Sequence, residues 1–425
     1  MKRVGPFAGD SAQDAGRARF VTPIVTPIIA AIAAATLAAC GGGAGTNTPV
    51  LSGPAALPSG PNVAPITVDS GPAGTVNSPF VSVTLCVPGT ANCQTVDHVL
   101  VDSGSIGLRI IGSVLAATLT LPAALDSTGV AVGECGQFAD GSTFGPIKLA
   151  DVKVASETAG NIPVHIIGDS SFAAEPADCL ATGPAESTVQ AFGANGVIGV
   201  NIFREDCGSA CMTLAVPAAY YRCQASTCTA IAMPLAGQVQ NPVWRFAADN
   251  NGVAIVLRAV DPAGAAQVNG ALVFGIGTQS NNSLGTAAVL ALDPNLGTLT
   301  TVYNGQSLRS SFVDSGSSGL FFNDSTLPAC TGNVAPGFYC PVTAQNKTAT
   351  LQSTTGTAVS VSFSVANANS LLNNNPTFIA FANLAGANPL SNSFDWGLPF
   401  FYGRTVFYAI EGQSTPSGPG PYLAY

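Results

Sequence analysis

The sequence is poor in charged residues and in histidine. Only 9% of its 425 residues are Asp, Glu, Lys or Arg, and the formal net charge is -9. Nucleic-acid binding needs clustered Lys and Arg to neutralise phosphates, so this composition argues against a nucleic acid as partner. The net negative charge argues against acidic partners too. The chain has only two histidines, His98 and His165, and no Cys-x-x-Cys spacing, so a zinc site is disfavoured.

Long apolar runs are also scarce, and the one that exists, residues 20–39, lies near the amino terminus. Four basic residues precede it, and Cys40 with three glycines follows it. About 20 apolar residues can span a bilayer, so an uncleaved membrane anchor is one alternative. Pro23 and Pro27, together with the small residues before Cys40, favour cleavage instead.

The segment that ends in Leu37-Ala38-Ala39-Cys40 resembles a bacterial lipoprotein signal, whose cysteine is lipidated and becomes the first residue of the mature protein. The resemblance implies that residues 1–39 are a signal peptide and that a lipid on Cys40 tethers the exported protein to a bilayer of the bacterial envelope. By the same resemblance, Gly41 after the cysteine implies the outer membrane. Residues 40–75, rich in Gly, Pro, Ser, Thr and Ala, are predicted to be a flexible spacer.

The cysteine count fits an exported protein. Removing Cys40 from the 11 cysteines leaves ten, and an even number predicts disulfides in an exported chain. Short spacings suggest four pairs and leave a fifth: Cys86 with Cys93, Cys207 with Cys211, Cys223 with Cys228, Cys330 with Cys340, and Cys135 with Cys179. Metal binding is the alternative, which the scarcity of histidine disfavours.

The sequence after the spacer has the residue pattern of an all-β protein. Short apolar runs rich in Val, Ile, Phe and Thr are broken repeatedly by Gly, Pro, Asn and Asp, a pattern typical of strands and turns. The roughly 350 residues exceed one comfortable β domain, so we predict two lobes. We place the N-terminal lobe at residues 76–240 and the C-terminal lobe, with a short Pro- and Gly-rich tail, at residues 241–425.

An internal repeat supports this division. Val101-Asp102-Ser103-Gly104-Ser105-Ile106-Gly107-Leu108 recurs as Val313-Asp314-Ser315-Gly316-Ser317-Ser318-Gly319-Leu320. Repeats of this kind indicate duplicated lobes. In each copy an aspartate ends an apolar strand where the chain turns, and a glycine lets neighbouring backbone approach closely. The lobes are therefore predicted to bring Asp102 and Asp314 together in one cleft.

An ordinary turn is the alternative reading of any single Asp-Ser-Gly set, because aspartate commonly bonds to its own backbone in turns. Asp69-Ser70-Gly71 illustrates this, since it lies in the predicted spacer and lacks the apolar continuation. We interpret it as a turn. Two matched copies within strand sequence are much harder to attribute to chance.

The two copies resemble the active-site motifs of the pepsin-like aspartic peptidases, in which each lobe supplies one aspartate followed by Thr or Ser and by Gly. In that family an apolar-apolar-Gly segment of each lobe crosses behind the aspartate loop. Val197-Ile198-Gly199 matches it in the first lobe, and Asp395-Trp396-Gly397 matches it more loosely in the second. The resemblance covers roughly residues 76–412 and implies two related β-barrel-like lobes with an interlobe cleft.

The resemblance also implies an activity, aspartic endopeptidase, acting on extended peptide or protein substrates. Of two close carboxyl groups one keeps a proton, so the charged one can activate water while the other polarises a peptide carbonyl. No cofactor, metal or covalent intermediate is implied; we expect a monomer and apolar side chains flanking the cut. The implied site comprises catalytic Asp102 and Asp314, supported by Ser103, Gly104, Ser105, Ser315, Gly316 and Ser317.

A β-hairpin flap covers the cleft in this family and bears a tyrosine. Residues 138–145 have the matching place in this sequence, with Phe138 where the tyrosine is expected and with Gly141 and Ser142 at the turn. Phe138 can exclude water from the cleft, but it has no hydroxyl to donate.

Two other functions fit parts of the pattern. The lobes could grip an extended peptide by strand addition without cutting it, although the presence of both aspartates argues against this. A serine hydrolase using Ser317 would need a histidine in a triad. Neither histidine has a supporting context, and no Gly-x-Ser-x-Gly occurs.

The lipoprotein interpretation predicts that Cys40→Ser removes the lipid and releases the mature protein from membranes, because the thioether attachment point is lost. Fractionation of expressing cells, combined with metabolic labelling by a fatty-acid analogue, measures both effects. Membrane retention of the variant together with an unlabelled parent protein would contradict the interpretation.

Overall fold

The regular secondary structure of the described residues is mostly β-strand, as the sequence predicts. The computed structural model describes residues 56–170, 172, 174–224 and 227–425. The Cys40 signal and the first part of the predicted spacer lie outside these residues. No helix in the described ranges is long and apolar enough to cross a membrane.

The strands of the first half of the chain are β1 Val63–Val68, β2 Pro79–Cys86, β3 Cys93–Asp102, β4 Ile106–Ile111, β5 Val132–Gln137, β6 Ser142–Val154, β7 Glu157–Ile167, β8 Gly196–Val200, β9 Tyr220–Gln224 and β10 Thr227–Ala230. Those of the second half are β11 Gly252–Leu257, β12 Val268–Phe274, β13 Val289–Ala291, β14 Leu299–Tyr303, β15 Gln306–Val313, β16 Leu320–Phe321, β17 Gln345–Gln352, β18 Ala358–Val365, β19 Ala385–Gly386, β20 Asp395–Trp396, β21 Thr405–Ala409, β22 Ser414–Thr415, β23 Gly418–Pro419 and β24 Tyr422–Ala424.

Helices are short in the described residues. The α-helices are α1 Val189–Phe192, α2 Ser209–Thr213 and α3 Ala368–Asn374. Single turns of 3-10 helix occupy Gly112–Val114, Cys179–Thr182, Leu235–Gly237, Val243–Arg245 and Leu398–Phe400.

Within the described residues the strands join into two main sheets, which form an all-β bilobal fold. One sheet has 15 strands in the order β10-β9-β5-β6-β7-β4-β8-β3-β2-β1-β12-β11-β21-β24-β13, so it joins strands of both predicted lobes. The other has seven strands in the order β18-β17-β14-β15-β20-β16-β19 and belongs to the C-terminal lobe alone. The Pro- and Gly-rich tail ends in β24, which pairs with β21 and β13.

The two motif copies have the same strand topology around them. In the first lobe β8 lies between β3, with which it is parallel, and β4, with which it is antiparallel, and β4 is parallel to β7. In the second lobe β20 lies likewise between β15 and β16, and β16 is parallel to β19. This matched pairing is the structural counterpart of the sequence repeat.

The predicted spacer is wrong from Val63 onwards, because β1 lies within it. All six residues of β1 pair with β12, from Val63 opposite Val273 to Val68 opposite Val268. Ala64, Ile66 and Val68 alternate with more exposed residues and are buried in the core. This period-two pattern buries one face of a strand, and the Pro- and Ser-rich composition around it concealed the pattern.

All five predicted cysteine pairs are confirmed. They are Cys86–Cys93, Cys135–Cys179, Cys207–Cys211, Cys223–Cys228 and Cys330–Cys340. The interpretation of Asp69-Ser70-Gly71 as a turn is also confirmed, since the Gly71 amide donates to Asp69 Oδ1 at 2.8 Å.

Asn77 links the start of β2 to the second motif loop. Its side-chain amide donates to the Ser318 carbonyl at 2.7 Å and to the Phe381 carbonyl at 3.0 Å. Its Oδ1 accepts from the Phe381 amide at 2.8 Å and from the Tyr402 hydroxyl at 2.8 Å. The residue is buried and has a φ of 51°, a conformation that asparagine tolerates better than most residues.

Asn77→Ala is expected to lower the free energy of unfolding by about 3–4 kcal/mol, because it leaves buried donors and acceptors unpaired. Urea denaturation measures this loss. Asn161→Ala is the matched control: Asn161 also has a positive φ, of 49°, but is exposed, so it reports the backbone cost alone, about 1 kcal/mol. Equal losses in the two variants would contradict the account.

Candidate active site

Strand pairing positions the first aspartate. Asp102 is the last residue of β3 and lies opposite Gly199 of the parallel strand β8. A Cβ atom at Gly199 would lie only 2.5 Å from the Ile106 amide nitrogen, so glycine is needed for this close crossing. The Gly104 amide donates to Asp102 Oδ1 at 2.7 Å. The carboxylate is therefore held by its own loop.

The second aspartate is positioned in the same way. Asp314 directly follows β15, and its amide donates to the Trp396 carbonyl at 3.0 Å. The Gly316 amide donates to Asp314 Oδ1 at 2.8 Å. A Cβ atom at Gly397 would lie 2.1 Å from the Gly319 carbonyl oxygen. The two predicted apolar-apolar-Gly segments thus lie behind the two loops.

The two motif loops are joined by reciprocal hydrogen bonds between serines. The Ser103 amide donates to Ser315 Oγ at 3.0 Å, and the Ser315 amide donates to Ser103 Oγ at 2.9 Å. Ser315 Oγ in turn donates to the Val101 carbonyl at 2.7 Å. Both serines are fully buried, so these bonds have no competition from water.

A tyrosine that the sequence did not single out completes this link. Ser103 Oγ donates to the Tyr408 hydroxyl at 3.1 Å, and that hydroxyl donates to the Val313 carbonyl at 3.1 Å. Tyr408 lies on β21 and is buried. Tyr408 therefore connects the first motif loop to β15, the strand that leads into the second motif loop.

The carboxyl groups of Asp102 and Asp314 are in contact and share a hydrogen bond. A Cβ atom at Gly104 would lie 2.5 Å from Asp314 Oδ2, and one at Gly316 would lie 2.6 Å from Asp102 Oδ1. Any side chain at either glycine would therefore occupy the space of the opposite carboxyl group. Asp102 is 7% exposed and Asp314 is 8% exposed.

Burial and proximity move the two pKa values apart. Burial, followed by the negative charge of Asp102, raises the pKa of Asp314 to about 7. Burial opposes ionisation of Asp102 as well, but the hydrogen bond from Asp314 and the nearby Ser105 hydroxyl and Gly104 amide lower its pKa. Below about pH 7 the pair therefore holds one proton, on Asp314.

The serines three residues after the aspartates, Ser105 and Ser317, make different contacts in the two loops. Ser317 Oγ contacts Asp314 Oδ2 at 3.1 Å. The Ser105 hydroxyl is near enough to Asp102 to lower its pKa, but it makes no hydrogen bond of standard geometry within the described residues. The sequence identity of the loops hides this difference.

A third buried carboxyl group, Asp395, lies beside the pair. Ser317 Oγ contacts Asp395 Oδ2 at 2.6 Å and so bridges Asp395 to Asp314. Burial, and then the charge of Asp314, raises the pKa of Asp395 well above the ordinary value. The sequence held one signal for it: an aspartate where the apolar-apolar-Gly pattern calls for an apolar residue.

The predicted flap is the hairpin of β5 and β6. The Phe138 amide donates to the Gly141 carbonyl at 2.8 Å across its turn, and the Phe138 ring packs edge-on against Phe192 at 5.5 Å. Ser142 Oγ donates to Glu175 at 2.7 Å. Phe138 and Ile106 line one cavity, so the hairpin lies next to the first motif loop.

Comparison with solved structures finds the same fold. The aspartic proteinase from Irpex lacteus superposes with a TM-score of 0.51 at 15% sequence identity, over 85% of this chain and 96% of that chain. At this identity the similarity concerns the fold alone, which is pepsin-like.

Comparison of the sequence gives a family but no activity. No curated protein sequence matches the chain. The profile of one family, described as "Protein of unknown function (DUF3443)", matches residues 58–425. The chain therefore belongs to this family, DUF3443, and has a pepsin-like bilobal fold.

Proposed function

We propose that the protein is an aspartic endopeptidase with Asp102 and Asp314 as its catalytic pair. The observation that carries the proposal is the contact between two buried carboxyl groups whose pKa values are moved in opposite directions. A general base and a general acid at one site need such a separation.

The roles follow from the protonation states. Ionised Asp102 takes a proton from a water molecule as its oxygen attacks the peptide carbonyl carbon. Asp314 gives its proton to the carbonyl oxygen, which produces a neutral diol. Asp102 then gives the proton it took from water to the nitrogen as the C–N bond breaks, and Asp314 takes a hydroxyl proton from the diol, so that a carboxylic acid and an amine are released and the pair regains its starting protonation. The substrate is an extended peptide or protein segment lying between the motif loops and the β5–β6 hairpin.

The proposed place of action is the bacterial envelope. Five disulfides in one chain are typical of an oxidising compartment outside the cytoplasm. Lipidation at Cys40 would hold the protein on the membrane, with the outer membrane as the proposed site.

A peptide-binding envelope protein with little or no catalysis is the second candidate. The observation that favours it is Phe138, which stands on the β5–β6 hairpin where the family resemblance implies a tyrosine and has no hydroxyl to offer to a substrate or water. The two candidates differ in one result, the appearance of new peptide termini.

Asp102→Asn and Asp314→Asn are each expected to reduce cleavage of a peptide library by at least about a thousandfold, because each keeps the shape but removes the titratable group. Since the pair acts as one unit, the double variant should be little worse than either single variant. Mass spectrometry of the products, with and without pepstatin, measures the effect.

Asp69→Asn is the matched control, since it changes another Asp-Ser-Gly set that forms only a turn. Its cleavage rate should equal that of the wild type. Wild-type cleavage should fall as the pH rises through about 7, where Asp314 loses its proton. Additive losses in the double variant, or cleavage that persists in a variant lacking one of the two aspartates, would show that Asp102 and Asp314 are not the catalytic pair.

Asp395 predicts a dependence of stability on pH. In the folded protein Asp395 stays protonated at pH values at which the same residue of the unfolded chain, with a pKa of about 4, has lost its proton. The stability present below about pH 4 is thus lost, by about 1.4 kcal/mol per pH unit, as the pH rises towards the folded pKa. Asp395→Asn and Asp395→Leu should each flatten the wild-type slope by this amount just above about pH 5, where the unfolded chain has lost its proton, in urea denaturation. An unchanged slope would show that Asp395 is ionised.

A further inference from the structure

One serine of the second motif loop lies between two carboxyl groups. Ser317 Oγ is 2.6 Å from Asp395 Oδ2 and 3.1 Å from Asp314 Oδ2. A hydroxyl group has one hydrogen to donate, so Ser317 can donate to only one of the two carboxyl groups. The other contact is a hydrogen bond only if its carboxyl group is protonated and donates to Ser317. The geometry therefore requires a carboxylic acid at one end of this chain of three side chains.

Asp395 is the carboxyl group that is free to donate to Ser317. The proton of Asp314 is already engaged, because Asp314 donates to Asp102. Asp395 is 7% exposed, and its Oδ1 has no hydrogen-bond partner among the described residues. A carboxylate with one bare buried oxygen is strongly disfavoured, whereas the acid form carries no charge. Asp395 Oδ2 then donates to Ser317 Oγ, and Ser317 donates to Asp314 Oδ2.

The neighbouring elements favour the acid form of Asp395 as well. Three ionisable side chains act on it: Asp314 and Asp102 on the two motif loops, and Tyr408 on β21. None of these three is a cation. Burial, and then the negative charge of the aspartate pair, oppose ionisation of Asp395. Asp395 therefore keeps its proton while the pair carries one negative charge.

The first motif loop has no such chain of side chains. Asp395 lies on β20 opposite the residue two places before Asp314, and the corresponding residue of β8 is Val197. Ser105 Oγ makes no hydrogen bond to any residue that the structure describes. The additional carboxyl group thus serves Asp314 alone, which is the acid of the proposed mechanism.

We propose that Asp395 is a positioning residue for this acid: it donates a hydrogen bond to Ser317 and so directs the Ser317 hydroxyl to Asp314 Oδ2. The inference rests on the proposed function, in which Asp314 becomes negatively charged when it gives its proton to the substrate. A donor already aimed at Oδ2 stabilises that charge. An ionised Asp395 would instead accept from Ser317 and leave Asp314 Oδ2 without this donor.

Replacement of Asp395 by Leu and by Asn distinguishes the two directions of the Ser317 hydroxyl. The readout is the pKa of Asp314, measured without substrate by NMR of selectively labelled aspartate. Asp395→Leu removes the donor that orders Ser317, so the pKa of Asp314 should rise from about 7 by about 1, a tenfold change in acid strength. Asp395→Asn keeps a donor in its side-chain amide and should change this pKa by less than half as much.

The sign of the change decides the inference. If Asp395 were ionised, both replacements would remove a negative charge beside Asp314, and both would lower its pKa. A lower pKa of Asp314 in either variant, an unchanged pKa in the Leu variant, or an equal rise in both variants would overturn the positioning role.

Ser317→Ala removes the hydroxyl through which Asp395 is proposed to act. It should raise the pKa of Asp314 at least as far as Asp395→Leu does, and combining the two changes should have no further effect. The combined variant replaces both partners of the 2.6 Å contact by apolar side chains, so neither partner is left buried without the other. A further rise in the combined variant would show that Asp395 acts on Asp314 by another route.

Kinetics of peptide cleavage separate this inference from the proposed function. In Asp395→Leu, kcat should fall about tenfold with KM unchanged, and the pH at which kcat/KM declines should rise by about 1. The expected changes in the pKa of Asp314, without cleavage by the wild type at any pH, would reject the peptidase and support the role of Asp395 as the donor to Ser317. Cleavage by the wild type, with the pKa of Asp314 lowered in both Asp395 variants, would reject the positioning role and leave the peptidase standing.

Discussion

The structure depends on the reciprocal hydrogen bonds between the two Asp-Ser-Gly loops. Two buried carboxyl groups in contact repel one another once both are ionised, so something else must hold their loops together. Ser103 and Ser315 do so from a fully buried position, at 2.9 and 3.0 Å. Because each serine bonds to the backbone of the other loop, a shift in one lobe moves the aspartate of the other. The glycines that follow them leave the space in which Asp102 and Asp314 meet.

The near-symmetry of the loops does not extend to their surroundings. Asp314 has Asp395 beside it through Ser317, whereas β8 places no carboxyl group beside Asp102. The first lobe instead has a buried ion cluster, in which Arg109 pairs with Glu134 and Asp206 and donates to the Ile106 carbonyl of the first motif loop. The different protonation states of the pair arise within the loops themselves: burial and the charge of Asp102 raise the pKa of Asp314, whereas the hydrogen bond from Asp314 and the Ser105 and Gly104 groups lower the pKa of Asp102 against the effect of burial. The pair can therefore act as one base and one acid.

The sequence was sufficient for features that repeat or lie close together along the chain. It predicted the all-β bilobal fold, the five cysteine pairs and the loops around Asp102 and Asp314. It failed for β1, whose partner β12 lies about 200 residues away and whose alternating pattern is short. The long-range partners of Asn77 and the Arg109 cluster were missed because no local pattern marks side chains that meet only after folding. Only Asp395 was marked in the sequence itself, because it stands where the apolar-apolar-Gly pattern calls for an apolar residue.

The central claim is that a single proton is shared by two carboxyl groups with separated pKa values. The most direct measurement is a titration of the side-chain carboxyl carbons of Asp102 and Asp314 by NMR, with selectively labelled aspartate and each Asn variant for assignment. The account predicts that Asp314 titrates near pH 7 and that Asp102 remains ionised well below the ordinary range for aspartate. Titration of both groups together near pH 4, the value of an unperturbed aspartate, would contradict it.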